Sequence, residues 1–141
     1  MNYITYDEAG ERILDCEVRV YSTVSNMRRA MRKLEAGFTR VPANQEFCYL
    51  NRAEACTYTY IEEVPQEAVV FFCMDRVSMN HISHEVYHLA EACFKKDFLN
   101  IGKYKAGSRR KFESSERVAN FVGQVTQRIA EIMEIEKDKK E

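Results

Sequence analysis

Six consecutive apolar residues, Ala68-Val69-Val70-Phe71-Phe72-Cys73, constrain the fold of this chain more than any other stretch. Successive side chains of a strand point to opposite faces, so an unbroken apolar run of this length fits a central strand covered on both sides. Upstream, residues 12–21 alternate instead, with Cys16, Val18 and Val20 on one side and Glu17, Arg19 and Tyr21 on the other. That pattern predicts a half-buried strand. Residues 56–61 are rich in β-formers and place Tyr58 and Tyr60 on a common side. A further short strand is expected over 47–50, after a turn marked by Pro42 and Asn44, and Pro65 breaks the chain before the apolar run.

Helical spacing appears in three places. Met27, Ala30, Met31 and Leu34 repeat as one face of a short helix, with Ser25 able to cap it and Gly37 able to end it. Its other face, Arg28, Arg29, Arg32 and Lys33, reads as solvated. A second helix is expected over 77–96, where Ile82, Val86, Leu89 and Cys93 fall on one side at ~100° per residue. A loop over 97–113 with Gly102 and Gly107 leads to a last helix over 115–135, capped by Ser114 or Ser115. The fold class is therefore α+β: a small, mostly antiparallel sheet, an N-terminal helix and two C-terminal helices. Residues 1–136 form a single domain and 137–141 a solvated tail.

With 45% apolar and 30% charged residues, the 141-residue chain has the balance of a soluble globular domain. A net charge of -1 provides no global attraction to nucleic acid or to a membrane surface. No apolar run approaches the ~20 residues of a membrane span, and the first residues lack a secretory pattern, so a cytoplasmic protein is expected. Cys16, Cys48, Cys56, Cys73 and Cys93 are odd in number and form no C-x-x-C pair, which reads as buried, reduced thiols. The basic run Lys103, Lys105, Arg109, Arg110 and Lys111 reads as a solvated loop.

The second helix carries the chemistry. His84-Glu85-Val86-Tyr87-His88 spells H-E-x-x-H, and on a helix residues four apart lie one above the other. His84 and His88 can thus offer two imidazole nitrogens to one ion, for which Zn2+ is the usual occupant. Glu85, one step round the helix, can take a proton from a water held at the ion. A catalytic zinc needs a third protein ligand. Extension of the motif by a further histidine is excluded, because Glu91 and Phe94 stand where glycine and histidine would be needed. His81 shares the helix, which rises ~1.5 Å per residue and cannot wrap a third ligand round the ion. The same argument disfavours Glu91.

The last helix supplies the candidate: Glu116 in its expected first turn, with Ala119 and Gly123 on the same face to permit close approach. Glu113 stands in reserve. An acid in a first helical turn is also favoured by the macrodipole alone.

His84-Glu85-x-x-His88 on one helix, followed by Glu116-x-x-Ala119-x-x-x-Gly123 on the next, resembles the small gluzincin-type HExxH metallopeptidases. More narrowly, it is similar to the compact HExxH proteins encoded by phages and prophages. The resemblance covers residues 78–130. It implies a minimal zincin-like fold, with an edge strand beside the metal that aligns a peptide substrate and corresponds here to residues 56–61. It also implies zinc held by His84, His88 and Glu116, with Glu85 as base and then acid toward a protein or peptide substrate. Tyr60, Tyr104 and Arg109 are candidates to stabilise the negative oxygen of the intermediate, and His81 for a supporting or substrate contact. The alternative is a phage-type interaction protein that keeps the fold and binds a host factor without hydrolysis. A zinc hydrolase acting on another amide or ester, and a metal-free module, are further classes. Oligomeric state and cleavage preference leave no trace in the sequence.

Overall fold

The computed structural model describes residues 2–7, 13–37, 52–59, 68–100 and 102–139. Strands β1 (Asn2–Asp7), β2 (Ile13–Tyr21), β3 (Ala55–Thr59) and β4 (Ala68–Cys73) join in one sheet of order β1-β2-β4-β3. β1 and β2 pair antiparallel, β2 and β4 parallel, and β4 and β3 antiparallel. The architecture is mixed α+β, with two of the three pairings antiparallel as expected. β1 was not legible in the sequence pattern. The expected strand over 47–50, its preceding turn, Cys48, Tyr60 and Pro65 lie outside the described residues.

The apolar run does become a central strand, and all six of its side chains are buried. Ala68, Val70 and Phe72 join Cys16 and Val18 against one helical layer. Val69, Phe71 and Cys73 join Tyr58 against Met27 and Met31 of helix α1 (Val24–Ala36) on the opposite face. Glu17 departs from the half-buried pattern, being only 5% exposed. Glu17 lies level with Val69, on the sheet face that α1 covers, and Arg19 grips its carboxylate at 2.9 and 3.3 Å. The guanidinium itself lies 5.5 Å over the Phe71 ring, where ion pairing and cation–π attraction add.

Helix α1 ends at Gly37 as the sequence indicates, but its cap is Thr23, whose hydroxyl accepts from the Asn26 amide, rather than Ser25. Helix α2 (Met79–Cys93) starts on Ser78, which accepts from the His81 amide. Its apolar stripe of Ile82, Val86, Leu89 and Cys93 is buried. The expected helix over 77–96 breaks at Phe94, and the chain resumes as the short α3 (Lys95–Asn100), which runs into what the sequence suggested was loop.

Helix α4 (Arg109–Asp138) also differs from expectation, starting two turns earlier and ending later. Gly107, at φ 75, turns the chain in a conformation most residues avoid, and Ser108 then accepts from the Lys111 amide as N-cap. Ser114, expected as a cap, is instead buried mid-helix and accepts from Arg117. The basic Arg109-Arg110-Lys111 disguised the true first turn, which carries no acid. At the other end the helix runs through the expected tail to Asp138, with the Lys139 amide bonding back to the Ile135 carbonyl.

α2 and α4 pack apolar face to apolar face. Phe94 meets Phe121 edge-on at 5.2 Å, and Leu89, Val125 and Ile129 fill the same core. This arrangement leaves the histidine face of α2 turned away from α4, toward β3 and α3.

Candidate metal centre

A helix that buries Ile82, Val86 and Leu89 must present residues 84 and 88 to the other side. His84 and His88 accordingly stand at the surface with their Nε2 atoms 3.2 Å apart. Two nitrogens each ~2.05 Å from a tetrahedral ion are separated by about 3.3 Å. The pair is therefore spaced as two corners of such a site. The second nitrogen of His88, Nδ1, lies 3.3 Å from Oε1 of Glu91. A carboxylate at that nitrogen favours the tautomer with a proton on Nδ1 and the lone pair on Nε2.

Glu85 projects between the helix and the sheet, its side chain only 6% exposed. Thr57 of β3 donates to Oε1 at 2.9 Å, and Oε2 lies 4.0 Å from Nε2 of His84. One carboxylate oxygen is thus anchored and the other turned toward the histidines.

The three motif residues open onto a cleft of about 660 Å³. Its near wall is β3, through Ala55, Cys56, Thr57 and Thr59; its floor is α2, and its far end is formed by Lys95, Phe98 and Leu99 of α3. β3 is an edge strand among the described residues. Burial pushes the Cys56 thiol up to about 12, an effect strengthened by the nearby carboxylates of Glu85 and Glu35.

Comparison with known proteins finds no matching family model, no similar curated protein and no similar solved structure.

The remaining sequence candidates fall elsewhere. Glu116 is exposed on α4, and neither it nor Glu113 lines the cleft. The reason is the packing of α4: it meets α2 through Phe121 and Val125, so its polar Glu116-Ala119-Gly123 face turns outward. A Cβ on Gly123 would meet nothing within 4 Å, so this glycine does not serve a close helix approach. Glu113 pairs with Arg109 at 2.8 Å. Arg109 and Tyr104 do not line the cleft, and Tyr60 is outside the described residues. His81 is held at both nitrogens, by Ser78 at 3.0 Å and Glu54 at 2.9 Å. It belongs to a second, polar recess that shares Ala55, His84 and Glu85 with the cleft. Among the described residues no group of three or more His, Cys, Asp or Glu is placed to hold a metal ion.

Thr57 and Glu54 escaped the sequence reading, and Glu91, weighed there only as a ligand, lies instead beside Nδ1 of His88. Glu91 alone had a signal: it stands three residues after His88, within reach on a helix. Nothing local marks Thr57 or Glu54, which reach α2 only through tertiary packing. No helix among the described residues is long and apolar enough to cross a membrane.

Proposed function

We propose that this protein is a zinc-dependent peptidase of HExxH type on a minimal zincin-like fold, with His84 and His88 as two of the ligands and the third not assigned among the described residues. The observation that carries the reading is the 3.2 Å separation of the two Nε2 atoms beside an anchored carboxylate, at an open cleft. His84 and His88 would hold zinc together with a third ligand, and the ion would supply Lewis acidity, making water more acidic and a carbonyl more electrophilic. His84 and His88 donate lone pairs, and Glu91 keeps the His88 ring in the tautomer that can do so. Thr57 fixes Oε1 of Glu85, leaving Oε2 to take a proton from the attacking water. Glu85 then returns that proton to the departing amine, so base and acid are one group. β3, which is an edge strand among the described residues, would align an extended substrate backbone.

Elemental analysis and hydrolysis of unfolded protein substrates test the reading together. Wild type and Glu85→Gln should both carry zinc, and only wild type should cleave. His84→Ala and His88→Ala should lose the metal. If wild type holds zinc yet cleaves nothing, the hydrolase account falls and a binding role on the same scaffold takes its place.

A further inference from the structure

The solvent face of helix α1 carries charge of one sign. Its sequence holds four cations, Arg28, Arg29, Arg32 and Lys33, and a single acid, Glu35. That acid is buried and accepts from the Tyr58 hydroxyl, which leaves the outer face to the cations. Protein surfaces ordinarily mix the two signs, and a face of one sign gathers groups of the other. Arg29 and Lys33 are exposed and make no hydrogen bond or ion pair among the described residues.

Tertiary packing connects this face to the motif. Arg28 donates from Nε to the Ala53 carbonyl at 2.9 Å, joining α1 to the start of β3. Ala53 lies between Arg52 and Glu54, both of which border the polar recess that includes His84 and Glu85. Arg52 is exposed and likewise has no partner among the described residues. The adjoining segments 52–55 and 74–78 hold two acids, Glu54 and Asp75. Glu54 is occupied by His81 at 2.9 Å, with Arg76 at 4.0 Å from its other oxygen. Arg52 and Arg76 thus extend the cations of α1 round the start of β3 to the mouth of the recess.

The charge of the whole chain decides what fits this strip. A net charge of -1 gives a long polyanion such as nucleic acid no overall attraction, and domains that bind one are as a rule strongly basic. A short acidic segment meets only charges within a Debye length of ~8 Å, where the strip is basic. The rows Arg28–Arg29 and Arg32–Lys33 lie one helical turn apart, about 6 Å at ~1.5 Å per residue. An extended chain covers that distance in about two residues at ~3.3 Å each, so acids at alternate positions would meet both rows.

We propose that α1, Arg52 and Arg76 form a docking surface for an acidic, extended polypeptide segment, which they lead to the recess beside His84 and Glu85. The contact does not depend on hydrolysis: it holds its partner whether or not a bond is cut at the motif.

Fluorescence anisotropy of a short labelled peptide alternating Glu and Gly, beside its Gln-for-Glu counterpart, tests this without turnover. At ~0.1 M salt the Glu peptide should bind about tenfold tighter, as expected for several exposed ion pairs of up to about fivefold each. Arg29→Glu combined with Lys33→Glu, both at exposed sites and with helix content checked by circular dichroism, should remove most of that preference. Arg52→Gln should weaken it about two- to fivefold. Lys103→Glu combined with Lys105→Glu lies in the loop leading into α4, across the sheet from α1, and should leave the preference within about twofold. Equal binding of the Glu and Gln peptides overturns the proposal. So does a preference unchanged by the α1 variant or by Arg52→Gln, or one lost equally in the Lys103→Glu, Lys105→Glu protein. Tighter binding of a single-stranded DNA of matched charge overturns it in favour of nucleic acid. None of these outcomes bears on zinc binding by His84 and His88 or on cleavage.

Discussion

Replacing Thr57 by valine removes the hydroxyl that joins the edge strand to the motif helix, through the Glu85 carboxylate at 2.9 Å and, at 3.5 Å, the Glu85 carbonyl. Valine has nearly the shape of threonine, so no cavity opens and the neighbours of residue 57 keep their packing. What disappears is the hydroxyl that donates to Glu85 Oε1 at 2.9 Å. The glutamate side chain is 6% exposed and cannot recruit bulk water in its place. A hydrogen bond to a charged acceptor contributes ~1.5–3 kcal/mol, and an acceptor left buried without it costs toward the upper end. Rotation of the carboxylate toward His84, 4.0 Å away, would recover part of that loss and sets the lower end. A domain of this size shifts its Tm by about 4 °C per kcal/mol, so Thr57→Val should melt about 6–12 °C below wild type. Thr57→Ser keeps the donor and should stay within about 3 °C, the loss of one methyl. Thermal unfolding followed by circular dichroism at neutral pH reads both. A Thr57→Val protein that melts with wild type would show that Glu85 is not anchored through this hydroxyl, and the orientation of Oε2 would lose its support.

Four further outcomes follow from the structure. Glu85→Gln should lower hydrolysis by about 10²–10⁴-fold with zinc retained, as expected for loss of a proton-transferring group. Glu116→Ala should leave zinc content unchanged and Glu91→Ala should weaken zinc affinity about 10–100-fold, both measured by competition with a chelator; the opposite ranking would restore Glu116 as a ligand. Gly123→Ala should raise stability by up to ~1 kcal/mol in urea unfolding, because the site is helical and a Cβ meets nothing within 4 Å. The Cys16 thiol is pushed from 9.0 up to about 12, chiefly by burial. The unfolded chain then loses this proton first, so the contribution is fully present below pH 9 and is lost as pH rises toward 12. Urea unfolding of Cys16→Ala beside wild type should show a shallower decline across that interval.

The legibility of this protein varies with the range of the interactions involved. The central strand was readable because six apolar residues in a row leave a strand no polar face. The site helix was readable too, since Ile82, Val86, Leu89 and Cys93 recur on one side and force His84 and His88 onto the other. Helix α4 misled at its start: three basic residues looked like loop, while Ser108, placed after Gly107, was the cap. Glu17 misled in another way. Alternation predicts its face as solvent-exposed, but that face is the one α1 covers, and Arg19 pairs with the carboxylate.

Sequence alone determined that two imidazoles and a carboxylate share one turn of helix, because spacing along a helix is a local property. It also determined that this helix buries the opposite side. Only the tertiary structure decided what those residues face. α4 was free to approach α2 by either surface as far as local pattern goes, and burial of Phe121 and Val125 against Leu89 chose the apolar one, carrying Glu116 outward. The partner of Glu85 came instead from Thr57, which precedes it by 28 residues. No local periodicity encodes such a contact, since it exists only once β3 has paired with β4 and the helix has settled on the sheet.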